Sequence, residues 1–185
     1  MTVEAVIERA VRNAEERLGR TTVPAPAYAV AIFSHDPDEL AAANIVIGLE
    51  RDREATLQNV QERDLPIALQ NAEHAEALWR IWSPHFYGAS GASAPDEPQL
   101  VLTDPEFVEA QEAVLEELDA QGIWWQQQYV LNRVAQRLGS GTMPFEVTDD
   151  FVVYAWHQDD EVCEENIRFS ACPEALAELE RKGLI

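Results

Sequence analysis

The stretch "YAVAIFSHDPDELAAANIVIGLE" (Tyr28–Glu50) decides the fold. Its two ends, Tyr28–Ser34 and Asn44–Glu50, are rich in β-branched and aromatic residues and read as strands. Nine residues separate them. A parallel crossover needs about a dozen or more, so the two strands are predicted to be antiparallel neighbours. Upstream, Val3, Val6, Ile7, Ala10, Val11, Ala14 and Leu18 recur at helical spacing. Thr2 is available as their cap and Gly19 as their stop.

Downstream, the spacing predicts a helix over Arg53–Arg63. A second follows Pro66, with Leu65, Leu69, Ala72, Trp79 and Trp82 along one face. The segment "SPHFYGASGASAPDEPQ" (83–99) has no period and is crowded with Gly, Ser, Ala and Pro, so it reads as a loop. A short strand is possible at Leu100–Leu102. "VLTDPEF" opens the next helix: Thr103 or Asp104 caps it, Pro105 suits its first turn, and Gly122 ends it. Another helix runs from Ile123 to Leu138. "FVVYAWH" (Phe151–His157) is a third strand whose continuous apolar run suits a position inside the sheet. The acids after it fit a strand-to-helix turn and a short helix over Glu161–Phe169. Pro173 begins a last helix that Gly183 stops. There is no internal repeat. The order lacks the strand–helix alternation of a doubly wound sheet. It predicts an α+β fold in which a small mixed or antiparallel sheet of three to four strands is covered by about seven helices.

A chain of 185 residues buries roughly 70% of its unfolded surface, so residues 1–185 are expected to form one domain without a metal or disulfide staple. The formal charge is −21, from 34 acidic and 13 basic residues. Residues 1–20 are neutral. Pro95–Ala120 holds nine carboxylates and no Lys or Arg, and Glu146–Glu165 holds eight more, again with none. Such a field repels nucleic acid and anionic lipid and attracts basic proteins. Plain solubility is the simpler explanation of the acidity, and salt adaptation another. No run approaches the roughly 18 apolar residues of a membrane span, and the N-terminus lacks a basic start followed by an apolar run. A cytoplasmic location is expected.

The motif search excludes several chemistries. His157, Cys163 and Cys172 match no common zinc spacing. "DDEVCEEN" lacks the glycine of a calcium loop. His74 and Glu76 form H-x-E without the P-C-x-x-C of a deaminase. "GASGAS" has Ala92 where a nucleophile elbow needs glycine, leaving Ser90 and Ser93 as loop residues. A thiolate at Cys163, with His157 as base, would have its pKa raised by the surrounding acids. The only lysine, Lys182, follows no glycine-rich turn, so a phosphate loop is missing. No cofactor and no metal are expected. With 34 acids, some carboxylate pair always lies close, so acid–base pairing discriminates nothing.

The tail "TDDFVVYAWHQDDEVCEENIRFSACPEALAELERKGLI" (Thr148–Ile185) resembles the end of an uncharacterised bacterial family, domain of unknown function 4303. The likeness rests on Asp150, Phe151, Val152, Pro173, Leu176, Leu179, Gly183 and Leu184, and on the tryptophans before Ser83-Pro84. Ala171-Cys172 departs from the family's residues before the proline. The resemblance implies a small soluble bacterial protein with no established activity, of a kind linked to toxin immunity.

These readings lead to a non-enzymatic acidic binding protein, plausibly of immunity type, that masks a basic protein partner. Its expected surface comprises Trp82, Phe86, Tyr87, Glu109, Glu112, Glu116, Asp159 and Asp160. One alternative is a hydrolase or transferase built on scattered residues near 83–93, with His85 or His157 as acid–base. The other is a DNA mimic with its carboxylates in a row.

Overall fold

The computed structural model describes residues 2–33, 43–61, 67–84, 99–100, 105–123, 125–156 and 163–185. The elements run α1 (Val3–Arg20), β1 (Ala27–Phe33), β2 (Ala43–Leu49), α2 (Glu50–Gln61), α3 (Ile67–Trp82), β3 (Gln99–Leu100), α4 (Pro105–Ala120), α5 (Gln126–Gly139), β4 (Val147–Ala155), α6 (Cys163–Ser170) and α7 (Pro173–Lys182). The fold is α+β. A mixed sheet of order β3-β2-β1-β4, in which β3 is only a two-residue strand, is packed by helices on both faces. β1 is antiparallel to β2, as its short connection requires, and parallel to β4.

Local chemistry sets most helix ends. The Thr2 hydroxyl accepts the Ala5 N–H at the start of α1. α1 passes the expected stop at Gly19 and closes at Thr21, whose N–H donates to the Leu18 carbonyl. Pro105 heads α4, while the proposed caps Thr103 and Asp104 lie outside the described residues. α5 begins at Gln126, three residues later than its apolar period suggests. α6 is displaced by two residues at its start from the expected span. Pro173 opens α7, and Gly183 closes it in the left-handed conformation at φ +67°.

β1 is buried at every position because both of its faces are covered. One face carries Val30 and Ile32 with Ile45, Ile47 and Leu49 of β2 and Val153 and Ala155 of β4, packed under α1, α4 and α5. The other carries Tyr28, Ala31, Phe33, Val152, Tyr154 and Trp156, packed under the end of α3, α6 and α7. The register shifts between Ala27 and Ala29, so that two β1 steps oppose a single step of β2. This is a bulge. It leaves the adjacent Tyr28 and Ala29 in one and the same core.

The expected interior position of the third strand is corrected: among the described residues β4 pairs only with β1 and stands at the edge of the sheet. Its apolar run reflects helices on both faces. The edge is also blunted, because the Ala155 N–H, turned away from β1, donates to the Ser170 hydroxyl of α6 at 2.8 Å.

The end of α3 docks through hydroxyls. The last carbonyls of a helix have no partner within it. Here the Tyr28 hydroxyl donates to the Ile81 carbonyl, and the Tyr154 hydroxyl donates to that of Trp82 at 2.6 Å. Trp82 sits edge-on to both tyrosine rings and donates its Nε1–H to the Leu184 carbonyl at 2.8 Å. The Tyr28 ring in turn packs against Gly48, where an added Cβ would fall 2.7 Å from ring atoms Cε1 and Cζ.

Glycine at position 48 is therefore required by the ring above it. Gly48→Ala is expected to destabilise the fold by about 1–3 kcal/mol, the range for an overpacked core. Urea unfolding followed by circular dichroism checks this. Gly19→Ala, inside α1 with nothing within 4 Å of the added methyl, serves as the control and is expected to be neutral or to stabilise by up to about 1 kcal/mol.

Candidate functional site

β2 passes into α2 without a break, with the Glu50 N–H anchored on the Pro26 carbonyl at 2.8 Å. The first turn of α2 therefore projects from the end of the sheet beside Tyr28. Arg53, in that turn, sets its guanidinium 4.8 Å from the centre of the Tyr28 ring. Beyond the ring it meets Asp150 of β4 as a fork: Nη1 donates to Oδ2 and Nη2 to Oδ1, both at 3.0 Å. The two side chains are 6% and 1% exposed. Glu50 Oε2 lies 2.6 Å from Arg53 Nη2.

Two further donors complete the shell of Asp150. The Thr148 hydroxyl donates to Oδ1 at 2.7 Å. Lys182, at the end of α7, donates to Oδ2 at 3.0 Å and to Asp149 Oδ1 at 2.6 Å. Burial pushes the Asp150 carboxyl up, but the hydrogen bonds from Arg53 and Thr148, the Arg53 charge and the Lys182 hydrogen bond outweigh it and hold the pKa down at about 2. Hydrogen bonding to Asp149 raises the Lys182 ammonium, and burial opposes this only in part. A carboxylate so saturated with donors is a poor proton acceptor near neutrality. The cluster binds α2, β4 and α7 into fixed register; it is an electrostatic clamp.

The residues expected at a partner surface are placed as follows. Trp82 is corrected: it is 2% exposed and belongs to the core, because α3 ends against the sheet and its indole fills the space between two tyrosine rings. Glu116 is exposed on α4. Glu109 and Glu112 occupy backbone positions in α4 at spacings of three and four residues from one another and from Glu116, while their side chains are outside what is described. Phe86, Tyr87, Asp159 and Asp160 lie outside the described residues, as do His85 and His157 and nearly all of the 83–99 loop. The expected apolar stripe of α3 is also corrected at Trp79, which is 42% exposed; among the described side chains of α3 the buried ones are Ala77, Ile81 and Trp82. His74 is exposed, as its helical position implies. Cys172 is half-buried at the cap of α7. Among the described residues, no group of three His, Cys, Asp or Glu side chains is placed to hold a metal ion, and no helix is long and apolar enough to cross a membrane.

The clamp itself went unread in the sequence, where Arg53 opens a polar helix and Asp150 is one acid in a block. Two signals pointed to it: a glycine inside a strand pattern, and a lone lysine in a strongly acidic chain. No family model matches the chain, and neither the curated proteins nor the solved structures yield a match.

Asp150→Asn leaves the buried Arg53 with Glu50 as its remaining anion and is expected to cost about 3 kcal/mol in urea unfolding, the low end of the range for a broken buried pair. The pH dependence follows from the same pair. The carboxyl drops from an ordinary 3.8 to about 2 on folding, so its contribution is complete above pH ~4 and is lost as pH falls toward ~2. The gap corresponds to about 2 kcal/mol. Equilibrium unfolding between pH 6 and 2 is expected to show this loss in the wild type and its absence in Asp150→Asn; relief of surface repulsion on acidification is common to both.

Proposed function

We propose that the protein is a non-enzymatic, acidic bacterial binding protein that masks a basic protein partner in the manner of an immunity protein, with α4 at the centre of the contact. One observation carries the reading: the sixteen residues of α4 contain six carboxylates and no base. Elsewhere several acids are matched by cations. Glu4 pairs with Arg137, Glu16 with Arg20, Glu164 and Glu180 with Arg168, and Asp149 with Lys182. On α4, Glu116 and Asp119 are exposed and meet no cation among the described residues. A patch of one sign without counter-charges steers an oppositely charged partner and repels nucleic acid. The likeness of Thr148–Ile185 to the uncharacterised bacterial family supports the bacterial, immunity-type part of the proposal.

Co-expression with the product of an adjacent gene, followed by calorimetric titration of the purified pair, tests it. Glu109→Gln/Glu112→Gln/Glu116→Gln is expected to weaken binding about tenfold, some 0.5 kcal/mol for each rim charge. The same change of charge on α1, Glu8→Gln/Glu15→Gln/Glu16→Gln, is expected to leave it within about twofold. Equal loss in both triples assigns the acidity to solubility alone and overturns the reading, as does failure of the wild type to bind.

A further inference from the structure

Helix α5 lies in a segment unlike the rest of the chain. From Gln121 to Phe145 there is no carboxylate, and Arg133 and Arg137 are the only charged residues. One side of α5 is buried on β4 and α1, with Val130, Leu131, Val134, Ala135 and Leu138 in the core. On the other side Tyr129, Arg133 and Gln136, all half-buried, recur at three- and four-residue spacing and share one stripe, which the exposed Trp125 heads from the cap position just before the helix. Trp125 is 40% exposed, and its ring meets Tyr129 edge-on at 5.4 Å. Gln136 Nε2 donates to the Phe169 carbonyl at 3.2 Å, which carries the stripe onto α6. Phe169 is 69% exposed, the largest value among the exposed large apolar side chains described.

The charges around this aromatic stripe are self-complementary. Arg133 donates to the neutral Gln136 at 3.0 Å and meets no carboxylate among the described residues. Glu165, one turn before Phe169 on α6, is exposed and meets no cation among them. Arg137 is satisfied by Glu4, and Arg168 by Glu164 and Glu180. The α5–α6 face thus presents one available cation, Arg133, and one available anion, Glu165. A twofold contact requires this arrangement, since residue i of one copy meets j of the other and the reverse. Two chains of charge −21 repel each other over an acidic surface; α5, which holds no carboxylate, is where they approach at least cost. From Trp125 to Gln136 the stripe runs about 16 Å along the helix.

We infer that the α5–α6 face is a twofold interface with a second copy of this chain, in which Trp125 and Phe169 are covered and Arg133 of each copy pairs with Glu165 of the other. The interface is separate from the α4 face. It does not depend on the proposed partner.

Sedimentation velocity of the full chain at ~10 and ~100 µM tests the inference. The expected species has twice the 20.8 kDa mass of one chain. It persists in 0.5 M salt, because screening of the net repulsion offsets the weakened pair; this is the opposite of the salt response of an acidic–basic complex. Phe169→Glu, at a position too exposed to disturb the core, is expected to yield a monomer with an unchanged circular-dichroism spectrum, its melting point lower only by what association adds and independent of protein concentration. Arg133→Glu is expected to do the same, and Arg133→Glu/Glu165→Arg to restore the dimer. A wild type that stays monomeric at ~100 µM overturns the inference, as does a dimer indifferent to Phe169→Glu, or a double variant that remains monomeric. Partner titration of the monomeric Phe169→Glu variant separates the two proposals: unchanged affinity for a basic partner leaves the α4 reading intact whatever the fate of the dimer.

Discussion

The fork between Arg53 and Asp150 holds two opposite charges 3.0 Å apart where water is almost absent. Neither charge is tolerable there alone, because an unpaired buried ion costs several kcal/mol. The pair therefore acts as a condition of assembly. α2 must leave β2 at the angle that aims Arg53 across Tyr28, β4 must present Asp150 on the same side of the sheet, and α7 must bring Lys182 to the remaining lone pair. Only arginine spans this geometry, since its planar fork matches both oxygens of a carboxylate and its face stacks on an aromatic ring.

From that point the packing of the second face follows. Tyr28 is pinned between Gly48 and the guanidinium, and its hydroxyl is thereby aimed at the end of α3. Tyr154 matches it from β4. Trp82 closes the space between them and ties the chain terminus down through the Leu184 carbonyl. In this trio both tyrosine hydroxyls and the Trp82 indole N–H are bonded, as buried Tyr and Trp usually require.

The same economy of cations shapes the surface. The chain has 13 basic residues for 34 acids. Arg53 and Lys182 serve the clamp, and several others form pairs within or between helices. α4 is left with carboxylates alone, while α5 carries none. Two faces of opposite electrostatic character result on one small domain, and each suits a different kind of neighbour.

Much of this architecture was legible in local patterns. The antiparallel pairing of β1 and β2 follows from nine intervening residues, and the ends of α1, α4 and α7 from Thr2, Pro105, Pro173 and Gly183. Those features depend on neighbours in the chain, so period, propensity and turn chemistry suffice to read them. The sequence alone accordingly determined the α+β class, the sequence of elements and the uneven spread of charge. It did not determine that Trp82 is interior, that β4 lies at an edge, or that Asp150 belongs to Arg53. These were decided only by the tertiary structure, because they join residues as far apart as 97 positions, and no local repeat records which distant side chains will share a space from which water has been removed.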